Sequence, residues 1–230
     1  MTISTNSMAS DAESIENRLH GVRPEIDSLR EVGALFYQRG WSVGTSSNYS
    51  VVLQRDPVQL LVTASGKDKG QLTRDDFVVV DDSGLPAWSN QPKSSAETLL
   101  HVACVRENPH VNAVLHTHST WGTLLSDLYF EQGFLSIEGY EMLKGLSGIA
   151  THETDYRLLI VENTQDIPVL AEQLSRRWRD DPRSLAHGYL IRRHGLYTWG
   201  RDVDEARRHI EIFEFLFEVL GRRVMLTGKC

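Results

Sequence analysis

An α/β domain, with helices layered against a sheet, is the fold class that the sequence predicts, on three observations. Apolar residues recur at helical spacing near both ends of the chain, in Ile26, Leu29, Val32 and Phe36 and again in Ile210, Phe213, Phe217 and Leu220. Between them, short strand-like runs alternate with further helical patterns instead of segregating. The 230 residues, 40% hydrophobic and 24% charged, have ordinary globular composition and enough length for one sizeable core.

Residues 1–22 are polar and lack periodicity, so they read as a loose leader. A helix is predicted over 24–39, opened by Pro24 and ended by Gly40. The small-residue segment 41–48 leads into strands at 49–53 and 59–63, which Asp56-Pro57 separates as a turn. A second small-residue loop, 64–70, precedes a helical turn capped by Thr73 and a strand at 77–80. Ser94 or Ser95 caps a helix that reaches Glu107 and ends at Asn108-Pro109. A strand at 111–115 carries His116-Thr117-His118 at its C-terminal edge, and a helix follows at 120–128. Next come a helical turn at 141–144, a strand at 157–161, a helix at 166–179 and a strand at 188–191. Residues 192–200 read as a polar, Gly-containing loop. The last helix is predicted from 203 to 220, with Asp202 or Asp204 as the capping acid. With no repeat or dividing linker, 23–222 reads as one domain and 223–230 as a tail.

Charge and cysteine usage narrow the function. Twenty-four basic against 31 acidic residues leave a formal charge of -7, which discourages non-specific binding to nucleic acid. The two cysteines, Cys104 and Cys230, form neither a disulfide framework nor a thiolate cluster. No run reaches the length of a membrane span, and no charged-then-apolar signal opens the chain. The expected setting is the reducing cytoplasm, without a membrane or nucleic-acid partner.

In His116-x-His118 the period of an extended chain puts both imidazoles on one face, an arrangement that suits zinc once a third ligand joins. His194, between the strand ending at Ile191 and Gly195, is placed to return such a ligand; spacing alone leaves ordinary structural histidines open at all three positions. His101 and His209 read as structural, His20 and His110 as surface groups, and His152 and His187 stay undecided. Glu97 falls in the first turn of its predicted helix, either as a capping-box acid or as a general base facing a metal. Gly44-Thr45-Ser46-Ser47-Asn48 and Ser65-Gly66-Lys67 supply hydroxyls, an amide, a cation and close backbone donors of the kind a phosphate needs, and Ser95 extends the set; each also serves as an ordinary turn.

Five segments in order resemble the class II aldolase/adducin superfamily over about residues 27–222: Gly44-Thr45-Ser46-Ser47-Asn48-Tyr49-Ser50, Thr63-Ala64-Ser65-Gly66, Lys93-Ser94-Ser95-Ala96-Glu97-Thr98, His116-Thr117-His118 and Arg193-His194-Gly195. Residues 137–146, Ile-Glu-Gly-Tyr-Glu-Met-Leu-Lys-Gly-Leu, with Thr151-His152, resemble its dehydratase branch more closely. The resemblance implies a three-layer αβα fold around a largely antiparallel sheet. It implies one divalent ion per subunit, zinc, held by His116, His118 and His194, with Glu97 as acid and base. It also implies phosphate contacts from Thr45, Asn48, Ser65, Gly66 and Ser95, to which Lys67 adds charge. The expected activity is water loss from a phosphorylated methylthio-ketose, in a homotetramer whose sites lie near subunit boundaries. Sugar-phosphate aldolases and 4-epimerases share the motif set. Adducin-like interaction modules lose the metal ligands, which this chain keeps. Three departures stand out: Ser47 replaces a usual glycine, Ser94 a usual proline, and Ala96 a serine common in aldolases.

Overall fold

A computed structural model describes residues 21–228. The expected leader at 1–22 therefore lies almost wholly outside the described residues, as does Cys230 of the expected tail. Helix α1 spans Arg23–Gln38 and buries Ile26, Leu29, Val32 and Phe36. Strands β1 (Asn48–Arg55), β2 (Val58–Thr63) and β3 (Phe77–Val80) follow. Then come α2 (Thr98–Glu107), β4 (Ala113–Thr117) and α3 (Thr120–Leu128). Strands β5 (Phe134–Ile137) and β6 (Tyr156–Val161) precede α4 (Ile167–Asp180). Strands β7 (Gly188–Ile191) and β8 (Gly195–Gly200) lead into α5 (Val203–Thr227).

The eight strands form one sheet in the order β3-β2-β1-β4-β8-β7-β6-β5. Every neighbouring pair is antiparallel except β6 with β7. Because successive side chains leave opposite faces of a strand, the sheet feeds two cores. Leu61, Val79, Leu115, Leu190 and Leu196 join α1 and α5 on one face. Leu60, Val62, Val80, Val114, Tyr197 and Trp199 join Leu100 of α2 and Leu170 and Leu174 of α4 on the other. The expected αβα layering around a largely antiparallel sheet is the observed one.

Four boundaries differ from expectation. The loop expected at 192–200 is strand β8 from Gly195 onward, buried at every position. A strand covered on both faces has no polar side to alternate with, so the periodicity that marks an edge strand is missing. Gly195 is required there: a side chain would collide with the carbonyl oxygen of Thr117 on β4. The edge strand β5, only four residues long, had no expected counterpart. Helix α2 begins at Thr98 instead of Ser94 or Ser95, so Glu97 is its N-cap residue and not part of its first turn. Finally, α5 continues through the expected tail to Thr227, where left-handed Gly228 ends it.

Candidate active site

The edge where β4 ends and β7 turns into β8 gathers four donor side chains. His116 lies in β4, His118 just beyond it, and His194 in the β7–β8 turn. Glu97 comes in from the start of α2. One donor atom from each of the four lies within 4.8 Å of the others. His194 Nε2 is 3.3 Å from His116 Nε2 and 3.2 Å from His118 Nε2. Four ligands placed tetrahedrally at zinc–nitrogen bond lengths stand about 3.3 Å apart, so the donor set fits a small divalent cation.

The backbone holds each imidazole. His116 donates Nδ1–H to the Leu196 carbonyl at 2.9 Å, which leaves its Nε2 lone pair facing the cluster. Its ring stacks on Tyr197 with centroids 3.9 Å apart. The His118 amide donates to the Trp41 carbonyl at 2.8 Å. His194 sits after Arg193, whose φ of 53° closes the turn. The Thr123 hydroxyl donates to the His194 carbonyl at 3.1 Å, and the Arg193 amide to Ser126 Oγ at 3.0 Å. Burial pushes the pKa of His116 well down and that of His118 to about 4, so both are neutral nitrogen donors in the physiological range.

Glu97 is not a capping-box acid, because its side chain makes no cap bond. Its Oε1 lies 3.2 Å from His194 Nε2, while Oε2 accepts the Asn48 amide at 2.8 Å and the Tyr197 hydroxyl at 3.3 Å. Burial disfavours the anion, but hydrogen bonding from His194 and from the Asn48 amide favours it, and the carboxyl is held below the usual range. The group is therefore an ionised carboxylate beside the three imidazoles.

A cavity of about 270 Å³ opens next to this cluster, lined by Glu97, His118 and His194 together with Thr45, Asn48, Ser65, Gly66 and Ser95. The structure thus brings the expected hydroxyl and glycine positions to one wall; Gly66 has φ +73°, which suits glycine. Two expected phosphate groups differ in detail. The Asn48 side chain is already committed at both ends, to Glu97 and to His101. Lys67 does not line the cavity, and its ammonium pairs with Asp76 at 2.7 Å.

Lys69, which sequence reasoning missed, is the cation beneath these loops. Its side chain is buried, and Nζ donates to the Lys67 carbonyl at 2.6 Å and the Thr45 carbonyl at 3.5 Å. It thereby ties the two small-residue loops together, and burial lowers its pKa to about 8. Asn163, Thr164 and Gln165 also line the cavity; their polar run between β6 and α4 was a usable signal. Tyr197 was hidden inside the segment read as loop.

Beneath the ligand turn, Glu214 of α5 is buried and accepts the Thr117 hydroxyl at 3.1 Å. Burial pushes its carboxyl up to about 7, against the hydrogen bonds of Ser119 and Thr117. An acid whose folded pKa is raised costs nothing below its unfolded pKa, and the cost grows as pH climbs to the folded value. Above pH 7 it reaches the order of 3 kcal/mol. Glu214→Gln is therefore expected to match the parent protein near pH 4.5 and to exceed its stability at pH 8. Urea denaturation at both pH values checks this; parallel pH dependences would contradict it.

The chain is similar to known proteins. Residues 27–220 match the family model described as Class II Aldolase and Adducin N-terminal domain. The methylthioribulose-1-phosphate dehydratase of Marinobacter nauticus is 49% identical over 191 residues, 83% of this chain and 89% of that protein. The dehydratase of the same name from Stenotrophomonas maltophilia strain K279a is 48% identical over 194 residues, 84% of this chain and 85% of its own. Among solved structures, L-fuculose-1-phosphate aldolase from Thermus thermophilus superposes with a TM-score of 0.66 at 20% identity, covering 94% of this chain and all of the other; that likeness concerns the fold.

Proposed function

The chain belongs to the class II aldolase and adducin family, and on that premise we propose that it is a metal-dependent hydro-lyase of methionine salvage. It converts 5-methylthioribulose 1-phosphate into 5-methylthio-2,3-diketopentyl 1-phosphate. The observation that carries this reading is the conjunction of the Glu97, His116, His118 and His194 cluster with dehydratase relatives at 48–49% identity over most of both chains.

His116, His118 and His194 are the residues that hold the ion, and zinc is our assignment from three imidazoles at this spacing. A divalent ion bound there supplies the positive charge that offsets negative charge growing on the substrate's ketone oxygen. Glu97 takes the proton from C3. Once protonated, it returns that proton to the C4 hydroxyl, which departs as water while the C3–C4 double bond forms; the resulting enol loses its C3 hydroxyl proton and gains one at C4 to give the diketone. Thr45, Ser65, Gly66 and Ser95 anchor the phosphate and so fix where C3 lies relative to Glu97. Ile167 and Ile191 line the same cavity and offer an apolar flank for the methylthio group.

Lys69 adds long-range attraction for the phosphate and holds both anchoring loops. Lys69→Met is expected to raise KM roughly tenfold, the equivalent of about 1.4 kcal/mol, with a smaller change in kcat. Steady-state kinetics checks this, and an unchanged KM would contradict it.

No helix among the described residues is long and apolar enough to cross a membrane. On this reading the enzyme is a cytoplasmic homotetramer. Light scattering on the purified protein measures the assembly. The activity is tested by incubation with methylthioribulose 1-phosphate and mass spectrometry. A product lighter by one water is expected; an aldehyde and a three-carbon ketose phosphate would show C3–C4 cleavage instead.

A further inference from the structure

Behind Glu97 runs a buried hydrogen-bonded chain that the reaction described above does not use. It starts at Ser50 on β1, passes through His101 on α2 and Asn48 on β1, and ends on the carboxylate. We propose that His101 is a positioning residue for proton transfer: acting through Asn48, it keeps Glu97 Oε2 engaged and leaves Oε1 as the oxygen that takes the C3 proton. The proposal rests on the assignment of Glu97 as the base.

The direction of every bond in the chain follows from the carboxylate, which can only accept. Asn48 Nδ2 must donate to Oε2, so the Asn48 carbonyl oxygen faces His101. That oxygen has no proton, so His101 Nε2 carries one and donates it. Neutral His101 then has a lone pair at Nδ1, which accepts the Ser50 hydroxyl at 2.7 Å. Tyr197 adds a second donor to Oε2 at 3.3 Å, and its ring meets His101 edge-on at 5.6 Å.

Ser50, His101 and Tyr197 are buried, as is Asn48, so water does not compete for these bonds. Burial also lowers the His101 pKa to about 4, which keeps the ring neutral and the chain intact at physiological pH. The register adds a reason for the placement: Asn48 on β1 pairs directly with His116 on β4. One strand pair thus locates a metal ligand and the handle on the base. In the step itself, the C3–H bond breaks and its proton passes to Oε1. The bonding pair becomes the C2–C3 double bond, and the carbonyl π pair moves onto the ketone oxygen.

The test uses the metal-loaded enzyme. His101→Leu is expected to keep its metal content and its KM within a few-fold. Its kcat, and its rate of C3 hydrogen exchange into substrate in deuterated water, should both fall roughly 10- to 100-fold. His101→Gln, whose amide can donate to Asn48, should recover most of that loss. Full exchange in His101→Leu would overturn the proposal, as would a loss of metal and KM that His101→Gln does not restore. If the leucine variant fails to fold, ¹⁵N spectra of the parent protein decide: His101 protonated at Nε2 supports the chain, and protonation at Nδ1 overturns it. Failure of the underlying assignment reads differently. Glu97→Gln would then retain C3 exchange, whereas failure of the positioning role alone leaves Glu97→Gln inactive and His101→Leu active.

Discussion

Glu97→Gln is expected to bind metal and substrate as the parent protein does, yet to lose turnover by roughly a hundred- to ten-thousandfold. The side chains are nearly isosteric, so the pocket keeps its shape. The glutamine carbonyl oxygen can replace Oε2 as acceptor for the Asn48 amide and the Tyr197 hydroxyl. The amide nitrogen then takes the place of Oε1 beside His194, and it has no lone pair with which to accept a proton. Metal analysis, calorimetry with substrate and kcat together check this. A variant within a few-fold of full activity would remove Glu97 from the chemistry.

Replacing His116 has the other large expected effect: His116→Ala should fall from one ion per chain to nearly none and lose activity with it. His116 is fully buried, fixed through Nδ1 on Leu196 and stacked on Tyr197, so its position cannot be refilled by a mobile surface group. His118→Ala and His194→Ala should behave alike, because two imidazoles form a weaker site than three. Circular dichroism separates metal loss from unfolding. Folded variants that keep both stoichiometric metal and turnover would contradict the ligand assignment.

Much of this was legible before the structure. Helix 120–128 and strand 188–191 fell where their patterns put them, since each pattern is local. The His116-x-His118 pair was readable because two-residue spacing in an extended chain is itself geometry. Strand β8 was not, because burial of both faces erased its alternation and flanking glycines mimicked a loop. Lys67 and Lys69 have the same chemistry two residues apart. Only the turn at Asp68 decides that one meets Asp76 at the surface and the other lies buried under the loops.

Glu97 illustrates the same limit at the site. A serine three residues before an acid at an expected helix start, here Ser94 before Glu97, signals a capping box, whereas the actual partners, Asn48 and His194, lie far away in sequence. His101 read as structural because nothing local reports that Ser50 and Asn48 flank its ring. The ligand trio needed the fold for a similar reason, since His194 joins the pair only through the β4–β8 ladder.

What would separate this site from that of an aldolase, on the mechanism proposed above, is loss of the C4 hydroxyl after C3 deprotonation, with the carbon skeleton kept whole. Methylthioribulose 1-phosphate labelled with ¹⁸O at the C4 hydroxyl distinguishes the two outcomes. For a dehydratase the label is expected in water, and the diketone product carries none. Label retained in an aldehyde fragment, with the C3–C4 bond broken, would contradict water loss as the reaction.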